Sequence, residues 1–91
     1  MSSASRFNVD LSESAKNYLD SLSRKEAKAV ALHLATFYKN GTPKNSRALT
    51  ALEGEENDRL WTVSAYEILY RFLPHERRVE VGVIRAKRPT L

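Results

Sequence analysis

The period of the apolar residues changes twice along this chain, and that change limits the fold more than any other feature. Between Arg6 and Leu11, Phe7, Val9 and Leu11 alternate with Asn8 and Asp10, the two-residue repeat of a half-buried strand. From Ser12 onward Ala15, Tyr18, Leu19 and Leu22 fall at i, i+3, i+4 and i+7, which predicts a helix over 12–22 started by the Ser12 hydroxyl. Ser23-Arg24-Lys25-Glu26 has capping-box spacing, so a second helix begins at once. Ala27, Val30, Ala31, Leu34, Phe37 and Tyr38 carry it to Asn40, where Gly41 and Pro43 stop it. With almost no loop between them, the two helices form an antiparallel hairpin.

The alternation then returns. Leu60–Ala65, Glu67–Leu73 and Arg78–Ala86 read as three strands, with Ile68, Tyr70 and Phe72 on one apolar face and Val79, Val81 and Val83 on another. Pro74-His75-Glu76-Arg77 is the turn between the last two, while the junction at Ser64-Ala65-Tyr66 is tight and lacks Gly or Pro. Between helix and strands, 42–58 is broken by Pro43 and Gly54 and reads as loop, with Ala48–Leu52 as one helical turn. The order describes an α+β layer: an N-terminal strand, a helix hairpin and a three-stranded antiparallel meander, with the helices covering one sheet face. Function is expected on the open face.

At 91 residues the chain has apolar surface for one core, so 1–91 is read as a single domain. With no cysteine there is neither a disulfide framework nor a thiolate metal site. No run approaches the roughly 18 apolar residues of a membrane span, and Met1–Arg6 lacks the apolar stretch of a signal peptide. A soluble, cytoplasmic protein without membrane contact is the expectation. The acidic cluster Glu53, Glu55, Glu56 and Asp58 lacks the ligand alternation of a calcium loop, so neither metal nor cofactor is expected.

The net charge is +4, and Arg77, Arg78, Arg85, Lys87 and Arg88 against Glu80 place that excess in the last fifteen residues. Clustered cations steer phosphate-bearing partners, although a solvated basic tail has the same composition. If Val79, Val81 and Val83 face the helices, strict alternation turns Arg78, Glu80, Gly82, Ile84, Ala86 and Arg88 to the open side, with Glu67, Leu69 and Arg71 beside them. A bulge would reverse the assignment downstream of it. Guanidinium groups there can clamp phosphate bidentately and stabilise the dianionic phosphorane of RNA self-cleavage, or they can pair with Glu67, Glu76 or Glu80. Arg59 lies on a strand of ambiguous parity. His33 is read as a packed helix residue, His75 as a solvated turn residue and Trp61 as core; no triad or zinc pattern includes them.

The string Leu60-Trp61-Thr62-Val63-Ser64-Ala65-Tyr66-Glu67-Ile68-Leu69-Tyr70-Arg71, followed by Arg78–Arg88, resembles the C-terminal half of the RelE/ParE toxin superfamily of type II toxin-antitoxin systems. The resemblance extends over residues 6–88. It implies a cognate antitoxin contributing an acidic, partly disordered segment. It further implies either a RelE-like, ribosome-dependent mRNA endonuclease that inhibits translation, a ParE-like inhibitor of DNA gyrase, or a non-catalytic binding module derived from such toxins. By the resemblance, Arg88 matches the catalytic arginine after the last strand. Arg71 is the second candidate catalytic residue, and Arg59, Arg78, Arg85 and Lys87 are candidates for RNA binding. The chain departs from the RelE-like pattern at Glu67, where many such enzymes carry arginine. It departs also at Trp61 and Val63, where they carry lysines, and in having no tyrosine between Arg88 and Leu91.

Overall fold

A computed structural model describes residues 6–50, 52, 54 and 57–87. Strand β1 (Asn8–Leu11) leads into helices α1 (Glu13–Ser21) and α2 (Arg24–Asn40), followed by β2 (Arg47–Ala48), β3 (Asp58–Val63), β4 (Tyr66–Leu73), a 3-10 turn (Pro74–Glu76) and β5 (Arg78–Ala86). The helix boundaries follow from their caps. Ser12 Oγ accepts from the Ala15 amide at 3.0 Å, and Ser23 and Glu26 complete the reciprocal capping box at 3.2 and 3.3 Å. Gly41 ends α2 with φ 77°, its amide donating to the Phe37 carbonyl at 2.8 Å. A Cβ at Gly41 would stand 3.0 Å from the Phe7 ring and 3.1 Å from Phe72, so both the backbone angle and the packing require glycine here.

The sheet has the order β1-β5-β4-β3-β2. The N-terminal strand therefore crosses the molecule to pair in parallel with the last one, and the α1–α2 hairpin supplies the long connection that a parallel pair needs. Val30 and Phe37 of α2 and Ala15 of α1 are buried with Trp61, Tyr66, Ile68, Tyr70, Val79, Val81 and Ile84 of the sheet. Phe37 is the centre of this core, its ring 5.3 Å from Trp61 and 4.6 Å from Tyr70. Trp61 is core, as expected, and satisfies its indole N–H on Asn45 Oδ1 at 2.9 Å. His33 packs edge-on to Trp61 from α2, and His75 is exposed in the 3-10 turn.

Two expectations fail. The helical turn read at Ala48–Leu52 does not start at Ala48: Arg47 and Ala48 form β2, paired with Leu60 and Arg59, and the Gly54 amide donates to the Thr50 carbonyl at 3.0 Å. Pairing β2 satisfies backbone groups along β3 that a bare edge would leave open. The second failure is the strict alternation on β5. Leu69 pairs with Val83 but Tyr70 pairs with Val81, so Gly82 is an extra residue without a cross-strand partner. Beyond it the faces exchange: Ile84 is buried in the core and Val83 lies on the open side. Glu53, Glu55 and Glu56 lie outside the described residues.

Candidate functional site

The open face is built from alternate residues of the three long strands. β4 presents Glu67, Leu69 and Arg71, and the register places Thr62, Leu60 and Asp58 of β3 opposite them. From β5 come Arg78 and Glu80 before the bulge and Val83 and Arg85 after it. The bulge therefore moves Arg85 onto the open face, which strict alternation had denied it. An open groove of about 550 Å³ lies on this face, its lining including Leu49, Leu69, Val83, Asp10, Asp58, Arg71 and Glu80.

The cations of the face are engaged with carboxylates. Arg71 Nε donates to Asp58 Oδ1 at 2.9 Å directly across the β3–β4 ladder, and Arg85 Nε donates to Glu67 Oε1 at 2.8 Å across β4–β5. Arg78 serves three carboxylates at once: Asp10 at 3.2 Å, Glu76 at 2.9 Å, and Glu80. Five carboxylates thus meet three guanidiniums, so this part of the face carries no cationic excess. The sequence reading anticipated Glu76 and Glu80 as partners of Arg78. It did not anticipate Asp10, which reaches Arg78 only because β1 lies beside β5. Nor did it anticipate Asp58, whose partnership follows from the register once Ser64-Ala65 is fixed as the two-residue turn.

Arg59 is separated from these residues. It pairs with Tyr70, whose side chain is in the core, and its guanidinium turns to the loop after α2, with Nε on Ser46 Oγ at 3.1 Å and Nη2 on the Ser46 carbonyl at 3.0 Å. Thr42 links the same serine at 3.1 Å to the Tyr70 hydroxyl at 2.5 Å, so Arg59 anchors a loop. Lys87 is exposed just after β5, its amide bonded to the Ala65 carbonyl at 2.8 Å at the turn between β3 and β4. Arg88 lies outside the described residues. The structure therefore brings together Arg71, Arg78 and Arg85 on one face with Lys87 at its end, and sets Arg59 apart. Among the described residues no group of histidine, aspartate and glutamate has metal-binding geometry, and no helix is long and apolar enough to cross a membrane.

No family model and no curated relative matches the sequence. Solved structures do match the fold. The chain is similar to the isolated Escherichia coli RelE toxin, with a TM-score of 0.72 and 13% identity over 92% of this chain and 87% of that one. It is similar to the archaeal RelE–RelB complex from Pyrococcus horikoshii OT3, with a TM-score of 0.74 and 11% identity over 93% and 99%. The RelBE2 toxin-antitoxin complex from Mycobacterium tuberculosis gives a TM-score of 0.69 and 15% identity over 90% and 92%. The chain has the RelE toxin fold.

Proposed function

We propose that this protein is the toxin of a type II toxin-antitoxin pair and acts on translation as a RelE-like, ribosome-dependent mRNA endonuclease. The observation that carries the reading is the RelE fold combined with Arg71 and Arg85 on its open sheet face and Lys87 exposed at the end of β5. In the cleavage step the RNA 2′-hydroxyl attacks the adjacent phosphorus, a 2′-oxygen–phosphorus bond forms, and the bond to the 5′-oxygen breaks. Arg71, Arg85 and Arg88 stabilise the charge that collects on the phosphorane oxygens. Glu67, held by Arg85, accepts the 2′-hydroxyl proton, and solvent returns a proton to the departing 5′-oxygen. The ribosome supplies order in the message that a shallow groove does not. A cognate antitoxin is the partner expected from the complexes that share the fold.

A second reading is favoured by the ion pairs themselves. A phosphate reaching Arg71 or Arg85 must displace Asp58 or Glu67, and among the described residues the groove offers no lysine or tyrosine side chain as general acid, since Tyr70 is turned into the core with its hydroxyl bonded to Thr42. On this reading the protein blocks its target without cutting, with DNA gyrase as the alternative target. Induced expression with pulse labelling of protein and DNA synthesis, together with mapping of messenger 5′ ends, decides between them. Translation arrest with new cuts inside codons, lost in Arg88→Ala and Arg71→Ala, establishes the nuclease. Arrest of DNA synthesis with intact messages establishes the gyrase reading, and no effect on either process removes the toxin assignment.

A further inference from the structure

The distribution of unpaired charge differs between the two layers of the molecule. On the sheet, Arg59, Arg71, Arg78 and Arg85 are all held by carboxylates or by Ser46. On the helix layer, Arg24, Lys25, Lys28 and Lys39 of α2 and Lys44 just beyond it are exposed, and their side chains make no ion pair or hydrogen bond among the described residues. The one carboxylate of α2, Glu26, is occupied by the capping box. Among the described residues Lys87 at the end of β5 is also exposed, but most cations without a side-chain partner are on the helix layer, which linear charge counting along the chain does not reveal.

Three of them form a line. At about 100° per residue, Lys25, Lys28 and Lys39, with the exposed Leu32 among them, fall within an arc of about 60°. The arc is diametrically opposite Val30 and Phe37, the buried residues of the same helix. It extends about 21 Å along the helix axis from Lys25 to Lys39. Helix stability does not explain this placement. Arg24 and Lys25 occupy the first turn, where the partial positive charge of the helix N-terminus disfavours cations. Polyanion binding does explain it, because phosphates on the outer surface would neutralise both the side chains and the helix end.

We propose that the outer face of α2, centred on Lys25, Lys28 and Lys39, docks on the phosphate backbone of structured RNA. The choice of RNA over DNA rests on the translation reading above, whereas phosphate docking stands on the charge geometry alone. In this arrangement the helix layer supplies affinity through backbone contacts, and the sheet on the opposite side remains open to the message or to an antitoxin.

The test is fluorescence anisotropy of the purified protein with a labelled RNA hairpin and with duplex DNA of the same sequence, across a salt series. Lys28→Gln/Lys39→Gln is expected to weaken hairpin binding at least tenfold at low salt and to reduce the slope of log affinity against log salt by about 1.4–1.8, the release of roughly 0.7–0.9 counterion per lost contact. Lys16→Gln on α1, an exposed cation outside the proposed face, should change binding less than threefold. All three residues are exposed, and circular dichroism verifies that each variant is folded. A Lys28→Gln/Lys39→Gln variant that binds like the wild type, or equal losses from the two variants, overturns the proposal. Tighter binding to the duplex DNA overturns the choice of RNA. Because the assay reads binding by purified protein, its failure is distinct from failure of translation arrest.

Discussion

Arg85 Nε and Glu67 Oε1 are 2.8 Å apart across the β4–β5 ladder, and they meet only because Gly82 has shifted the register of β5 between them and the N-terminal half of the strand. Were Gly82 paired in regular alternation instead of bulging, Arg85 would point into the helix layer and Glu67 would lack its cross-strand cation. The pair is the hub of the proposed site: a carboxylate to take a proton beside a guanidinium that can receive negative charge.

Glu67→Gln keeps the shape of that side chain and removes its basicity. Messenger cleavage should fall by about 10²–10⁴, the usual contribution of a general base. The pair is partly exposed, so the urea midpoint should shift by less than about 1 kcal/mol in stability. Quantitative 5′-end mapping and urea denaturation check the two halves of this prediction; unchanged cleavage would remove Glu67 from the chemistry.

The bulge makes position 82 tolerant of two different changes. Gly82→Ala should be tolerated, because a Cβ there meets nothing nearer than the Leu69 carbonyl at 3.8 Å. It should leave stability unchanged or raise it by up to about 1 kcal/mol through the unfolded chain. Deleting Gly82 removes the one residue of β5 without a cross-strand partner and leaves Val81 opposite Tyr70 and Val83 opposite Leu69, so Ile84 stays in the core and the deletion variant should keep its cooperative thermal transition. A deletion variant that loses that transition would refute the role given to the bulge.

Gly41→Ala is expected to act in the opposite sense. The residue has φ 77° and its Cβ would press on Phe7 and Phe72. A loss of about 1–3 kcal/mol in urea unfolding is expected from backbone strain and crowding together. Phe37→Ala should cost more, about 3–5 kcal/mol, since it opens a cavity between α2, Trp61 and Tyr70.

Tyr18 gives the stability an alkaline limit. Burial, then the neighbouring Tyr66 and Glu26, raise its pKa above the ordinary value of 10.0. Between that value and the higher folded-state value the native protein keeps a proton that the unfolded chain has lost. Stability from this source is present below pH 10.0 and falls as pH rises through the folded pKa. Tyr18→Phe should flatten that part of the pH dependence in urea titrations, leaving the slope below the tyrosine range unchanged.

Much of this molecule was legible in its residues because the signals are local. Ser12 and Ser23 bring their helix caps with them, Gly41 stops α2 wherever the chain is placed, and the alternation of Tyr66, Ile68 and Tyr70 against Glu67, Leu69 and Arg71 assigns both faces of β4. The RelE/ParE resemblance likewise rested on a contiguous string. Other features are set by partners distant in sequence. Asp10 reaches Arg78 because β1 returns to lie parallel to β5, Ile84 rather than Val83 is buried because Gly82 bulges against Leu69 and Tyr70, and Arg47–Ala48 becomes a strand because β3 offers it a backbone edge.

Charge divides in the same way. The cationic excess of the last fifteen residues can be counted from the sequence, but which cations are free is a property of three-dimensional neighbours. The sequence by itself determined the elements, their caps and the apolar face of each, since backbone propensity and side-chain period act over a few residues. Only the tertiary structure decided that Arg71, Arg78 and Arg85 of the sheet pair with carboxylates while the lysines of α2 do not, because ion pairing depends on distances that strand register and layer packing set.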